Sequence, residues 1–298
     1  MMFKTIAIYG VGLIGGSICA GLKKSGFDGK IIGLSSDNGL KVAKKLGLID
    51  EGYPYGDLPE IIKRIDLLIL CSPILAIVDI IEKLGMMELP AGLVITDIGS
   101  TKKVIVEAAK EKLPPDVNFI GGHPMAGSEK SGPAASDPYL FQNAVYILTP
   151  VRNDDAHIQT VDGLAEFLKK YLSCRTVVMD PEKHDSAVAA ISHLPHILAG
   201  ALVLCAHEHE KRVAGTLELA ASGFKDMTRI ASAQFDIWND IFSTNKNAII
   251  PLIDSYMGIL GDIKKKLEDD ALREVFETAR EIRNSIVSEI VTKKENNK

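Results

Sequence analysis

One histidine of this chain stands among glycines, in Ile120-Gly-Gly-His123-Pro-Met-Ala-Gly-Ser128-Glu129-Lys-Ser-Gly132. A neutral imidazole is a general base near physiological pH, so the chemistry suggested is proton transfer. Pro124 pushes His123 toward extended backbone, and the glycines permit tight turns and close approach of a ligand. Three other groups of residues could work beside it. Ser100, in Asp97-Ile-Gly-Ser100-Thr-Lys-Lys103, could hydrogen-bond a substrate or orient the imidazole, and as a helix cap it would look the same. Ser192-His193-Leu-Pro-His196 sets two histidines on one helix face. With no cysteine or carboxylate cluster to complete a shell, no metal is expected there. Arg229 has the planar fork that clamps a carboxylate. Asp226, three residues earlier, could hold that guanidinium, although an exposed helical ion pair explains the spacing equally. Trp238, the only tryptophan, suggests packed surroundings nearby.

A second pattern lies at the start of the chain. Gly10-Val-Gly12-Leu13-Ile14-Gly15-Gly-Ser17 follows an apolar run, 6–9, and opens a helical one. In that context Gly10 permits the tight turn, Gly12 lets backbone approach a pyrophosphate and Gly15 lets helix and strand pack closely. Helix amides and dipole then hold the phosphates. An acidic residue for the ribose is expected after the second strand, but Ser35 stands there, with Asp37 two residues on and readable as a cap. No arginine beside Ser35 offers to bind a 2′-phosphate, so NAD is expected, with NADP left open. Ser72, after a further strand, falls at the same edge.

The elements that must position these residues follow from periodicity. Short apolar runs at 6–9, 30–34, 67–71, 93–96, 118–120, 145–148 and 176–179 alternate with helical patterns. That is the signature of a Rossmann-type, doubly wound α/β domain. From Asp180-Pro181, a cap followed by proline, only helical patterns continue. The expected division is 1–178 for dinucleotide binding and 179–298 for an all-α substrate and dimerisation domain. Two long amphipathic patterns near the end carry more apolar surface than so small a domain can cover, so a second subunit is expected.

Composition narrows the class. A 298-residue chain with 46% hydrophobic residues can bury a sizeable core. The net charge of -5 and the lack of a basic, aromatic-laced stripe argue against nucleic acid. Four scattered cysteines and no basic-then-apolar leader point to a cytoplasmic protein. The run 187–206 is apolar over a bilayer's thickness, yet Ser192, His193, Pro195 and His196 would be costly in lipid. It reads as a buried helix at a domain or subunit contact rather than a membrane span.

In order along the chain, GVGLIGGS, DIGSTK, GGHPMAGSEKSG, SHLPH and GFKDMTRIA resemble the prephenate dehydrogenase family, which includes arogenate and cyclohexadienyl dehydrogenases. The resemblance spans nearly the whole chain. It implies a dinucleotide domain followed by a helical dimerisation domain, and oxidative decarboxylation of prephenate or arogenate with NAD. It also implies that His123 is the catalytic histidine with Ser100 its partner, and that Ser128 and Glu129 line the entrance. Ser192 and His196 would then contact substrate and Arg229 its carboxylate, with Asp226 and Trp238 in support. Gly10, Gly12, Leu13, Ile14, Gly15, Ser35 and Ser72 fall to the cofactor. Ser35 departs from the acidic residue of NAD-dependent members. Two other readings are a β-hydroxyacid dehydrogenase, for which Lys246 lacks the expected glycine framework, and a non-catalytic NAD(P)-sensing module.

Overall fold

A computed structural model describes residues 3–128 and 130–295. Eight strands form one sheet: β1 (Thr5–Tyr9), β2 (Lys30–Leu34), β3 (Glu51–Tyr53), β4 (Leu67–Leu70), β5 (Val94–Asp97), β6 (Asn118–Pro124), β7 (Val145–Pro150) and β8 (Arg175–Val178), in the order β3-β2-β1-β4-β5-β6-β7-β8. The first six pair in parallel; β7 is antiparallel to β6 and parallel to β8. Seven of these runs are visible as periodicity. The eighth, β3, is three residues on the sheet edge, too short and polar to show as an apolar run.

Helices α1 (Leu13–Lys24), α2 (Asp37–Lys45), α3 (Leu58–Ile61), α4 (Ile74–Gly85), α5 (Lys103–Lys112) and α6 (Asp155–Leu172) complete the α/β layers. Strand alternation divides the core between them. Ile6, Ile8, Leu67 and Ile69 pack toward α1 and α6, whereas Ala7, Leu68 and Leu70 pack toward α3, α4 and α5. The strand order reverses between β1 and β4, and at such a switch point the carboxyl ends of the strands leave a crevice for a ligand.

Past β8 come α7 (Pro181–Val188), α8 (Leu194–Glu210), α9 (Ser222–Thr228), α10 (Phe235–Glu268) and α11 (Arg273–Glu295). Asp180 caps α7 as its position before a proline suggests, its carboxylate accepting from the Glu182 and Lys183 amides at 2.9 and 3.1 Å. Between α7 and α8 the chain makes one π-helical turn, Ala189–His193. Pro195 lacks the N–H that an α-helix needs there, and a wider turn accommodates the loss.

Pro181–Glu210 is long and apolar enough, by length and composition, to cross a membrane. One face of its first half nonetheless packs into the protein, where His184, Asp185 and His193 are buried in polar contacts. The second half differs from the buried helix expected. Leu204 is 66% exposed, and among the residues of α8 only Ala199 is buried.

By contacts the chain divides after Asn245, later than the change to helices. Residues 1–245 hold the sheet together with the helices up to the start of α10. Residues 246–298 hold the rest of α10, with Pro251 inside it, and α11. In this second unit Ile250, Met257, Leu260, Leu267, Phe276 and Ile282 are exposed.

Candidate active site

The crevice is built by the first glycine loop. Gly10 has φ +99°, and a Cβ there would collide with the Cys71 carbonyl at the end of β4. Only glycine fits. The loop is thereby clamped between β2, through Gly10 N–H to Leu34 O at 2.8 Å, and the Cys71-Ser72 turn. Gly12 is different, because nothing stands within 4 Å of where its Cβ would be. It occupies the cap position of α1, which has no side-chain cap and no acidic residue in its first turn. Unsatisfied amides beside open space, at a helix N-terminus, fit a pyrophosphate. Leu13 and Ile14 form the first turn, and Ser72 Oγ lies close to Gly10. Ser35 directly follows β2 and is buried, while Ser36, rather than Asp37, caps α2.

His123 stands on the same carboxyl edge. Beyond Ile120, where pairing with β5 ends, β6 runs on to Pro124 because β7 supports it, with His123 opposite Ile147. Gly121 and Gly122 are therefore strand residues rather than turns. At Gly122 a side chain would collide with the Asp97 carbonyl. The strand is pinned there by a buried ion pair, since Asp97 accepts from the Gly122 amide at 3.0 Å and pairs with Lys102, whose Nζ donates to the Gly122 carbonyl at 2.7 Å. Burial pulls the Lys102 ammonium down from its ordinary pKa, with Asp97 opposing.

The His123 ring is 8% exposed and its Nδ1 lies 2.8 Å from Nε2 of His184. Nδ1 of His184 in turn lies 2.7 Å from Oδ1 of Asp185. Burial, then the charges of His184, Lys102 and His193, hold His123 well below the usual histidine pKa. The ring is neutral at pH 7, as a base must be. Ser100 lies half-buried in the loop after β5, where among the described residues it neither bonds the imidazole nor caps α5. Lys102 occupies the cap position of α5, and the carboxylate of Asp185 serves that helix, taking the Lys102 and Lys103 amides at 2.7 and 3.0 Å.

Ser192 and His196 come together on the π turn and the start of α8, with Ser192 O 2.9 Å from Nδ1 of His196. His196 lies against the Trp238 ring at a centroid distance of 3.7 Å, and His193 meets the edge of the same ring. Burial lowers His193 to about 4, and burial with the Arg229 charge lowers His196. Arg229 is thus near His196; it is exposed and, among the described residues, forms no ion pair. The Asp226 support expected for it is absent from the ion pairs of the described residues. Ser128 is exposed after β6, its hydroxyl accepting from the Lys130 amide at 3.2 Å, and Glu129 lies outside the described residues.

Family models for the prephenate dehydrogenase nucleotide-binding and dimerization domains match residues 18–177 and 180–281. The chain belongs to the prephenate dehydrogenase family. It is 39% identical to the prephenate dehydrogenase of Bacillus subtilis over 96% of this chain and 76% of that one. To the prephenate dehydrogenase of Lactococcus lactis it is 36% identical, over 95% and 77%. Among solved structures it is similar to the prephenate dehydrogenase of Aquifex aeolicus in complex with hydroxyphenyl propionate and NAD+, with a TM-score of 0.83 and 32% identity over 97% and 99% of the two chains.

Residues that sequence reasoning missed lie behind the imidazole of this family member. His184 and Asp185 sit in a run of charged residues that reads as a solvated flank, and only packing against α5 buries them. Asn245 joins them, donating to the Asp185 carbonyl at 2.8 Å with His193 Nδ1 at 3.1 Å. A usable signal was the His-Asp pair one turn beyond the Asp180 cap.

Proposed function

We propose that this enzyme oxidatively decarboxylates prephenate to 4-hydroxyphenylpyruvate with reduction of NAD, as a cytoplasmic homodimer. The observation that carries the reading is a buried, neutral His123 on the sheet edge that also bears the open Gly12 cradle. We assign residues 1–178 to cofactor binding and 179–298 to substrate binding and dimerisation. Gly10, Gly12, Leu13, Ile14, Gly15, Ser35 and Ser72 hold the dinucleotide, which when bound supplies the hydride acceptor.

The chain's own work lies at the substrate. His123 Nε2 accepts the proton of the 4-hydroxyl as C4 becomes carbonyl-like, and loss of the ring carboxylate as carbon dioxide restores aromaticity. The same nitrogen returns the proton to the phenolate oxygen. Ser100 assists at that hydroxyl. Arg229, with no ion pair of its own among the described residues, binds a substrate carboxylate, and Ser192 and His196 contact the substrate beside it. Ser128 and Glu129 line the entrance. Exposed apolar residues on α8, α10 and α11, together with the dimerization-domain match, support the homodimer.

Arogenate, which carries an amino in place of the side-chain keto group, is the second reading within the family. Steady-state growth of absorbance at 340 nm with prephenate or arogenate against NAD or NADP tests both. Turnover with prephenate and NAD is expected; inactivity on both substrates would sink the proposal.

A further inference from the structure

The catalytic steps above leave His184 and Asp185 without a role, although both are buried and joined to His123 in a line. Asp185 is the fixed end of that line. Its carboxylate receives Nδ1 of His184 at 2.7 Å and the amides of Lys102 and Lys103 at 2.7 and 3.0 Å, and its carbonyl is held by Asn245 at 2.8 Å. An ionised carboxylate can only accept. A neutral His184 must therefore carry its proton on Nδ1, which makes its Nε2 an acceptor. That acceptor faces Nδ1 of His123 at 2.8 Å, so the proton of a neutral His123 must sit on Nδ1. The lone pair is then at Nε2.

We propose that His184 and Asp185 are positioning residues that set the tautomer of His123, so that its Nε2 presents a lone pair to the substrate hydroxyl. The proposal rests on reading His123 as the base. Once His123 has taken the substrate proton, its Nδ1–H still points along the line toward the Asp185 carboxylate, which offsets the Lys102 cation that also acts on the ring. An imidazolium at His184 would keep its Nδ1–H on Asp185 and reverse only the bond to His123. Nε2–H of His184 would donate to His123, whose own proton would then lie on Nε2 and leave no base.

Long-range proton–nitrogen imidazole spectra of 15N-histidine-labelled protein read this directly in the free enzyme, with His123 assigned by the signals lost in His123→Asn. We expect His123 protonated on Nδ1 and bare on Nε2 at pH 7; a proton on Nε2 in the wild type overturns the proposal without any variant having to fold. In His184→Phe, which keeps a ring but no acceptor, the Nδ1–H preference should vanish. Its kcat should fall roughly 10–100-fold, the usual scale for an orienting partner, with the KM for prephenate within about twofold. His184→Gln, whose amide oxygen can accept from Nδ1 of His123, should recover most of that rate. A folded His184→Phe with wild-type kcat also overturns the proposal. Failure of the wild type to oxidise prephenate counts against the proposed function instead, while the spectrum still decides the tautomer.

Discussion

At the residue scale the proposed function divides the work between the imidazole of His123 and the guanidinium of Arg229, and kinetics separates them. His123→Asn should lower kcat roughly 10²–10⁴-fold, the range for losing a general base, and leave substrate binding largely intact. Near-wild-type turnover would remove His123 from its role. Arg229→Ala should act mainly on KM, raising it roughly 10–100-fold through loss of a charge-assisted contact present in the ground state. A depressed kcat at unchanged KM would contradict that assignment. Because burial holds His123 well below its ordinary pKa, the acid limb of kcat/KM in the free enzyme should lie below pH 6.5. These two side chains were legible in the sequence, since a glycine-framed His-Pro and an arginine in GFKDMTRIA stand out as residue types. His184 and Asp185 were not. Adjacent charged residues read as solvent-facing unless a distant segment covers them, and here the uncapped end of α5 does so.

At the scale of elements, the turn from β1 into α1 separates two glycine roles that look alike in the motif. Gly10→Ala should destabilise the fold by about 1–3 kcal/mol, because a side chain at φ +99° is strained and meets the Cys71 carbonyl. Gly12→Val should leave the melting temperature nearly unchanged and weaken NAD binding, since its side chain enters open space in the cradle. Thermal melts beside fluorescence titrations with NADH distinguish the two; a Gly12→Val protein that binds normally would mean that the cradle lies elsewhere. The motif announces this turn because a strand, glycines and a helix are consecutive in sequence. The edge strand β3 is not announced, its three residues being specified by pairing with β2 rather than by their own pattern.

At the scale of the whole molecule, burial of neutral histidines links stability to pH. His123 and His193 titrate lower in the folded chain than unfolded, His193 at about 4. Below about pH 6.5 the unfolded chain binds more protons, so their contribution is complete above that pH and is lost as pH falls from there toward the lowered folded-state pKa of each ring. Urea midpoints should therefore drop from pH 7 to pH 5, and a flat profile would contradict the buried, neutral state. Sedimentation at micromolar concentration should give a dimer, with the apolar residues of α8, α10 and α11 covered. The sequence by itself determined the succession of elements apart from β3, the nucleotide turn, the family and the histidine proposed as the base, because each is carried by residues adjacent in the chain or spaced by one helical or strand period. Tertiary structure alone decided what stands behind that base. The line from His123 through His184 to Asp185, the pairing of Asp97 with Lys102 and the packing of His196 on Trp238 join residues far apart in sequence, and no local pattern encodes a contact made across the fold.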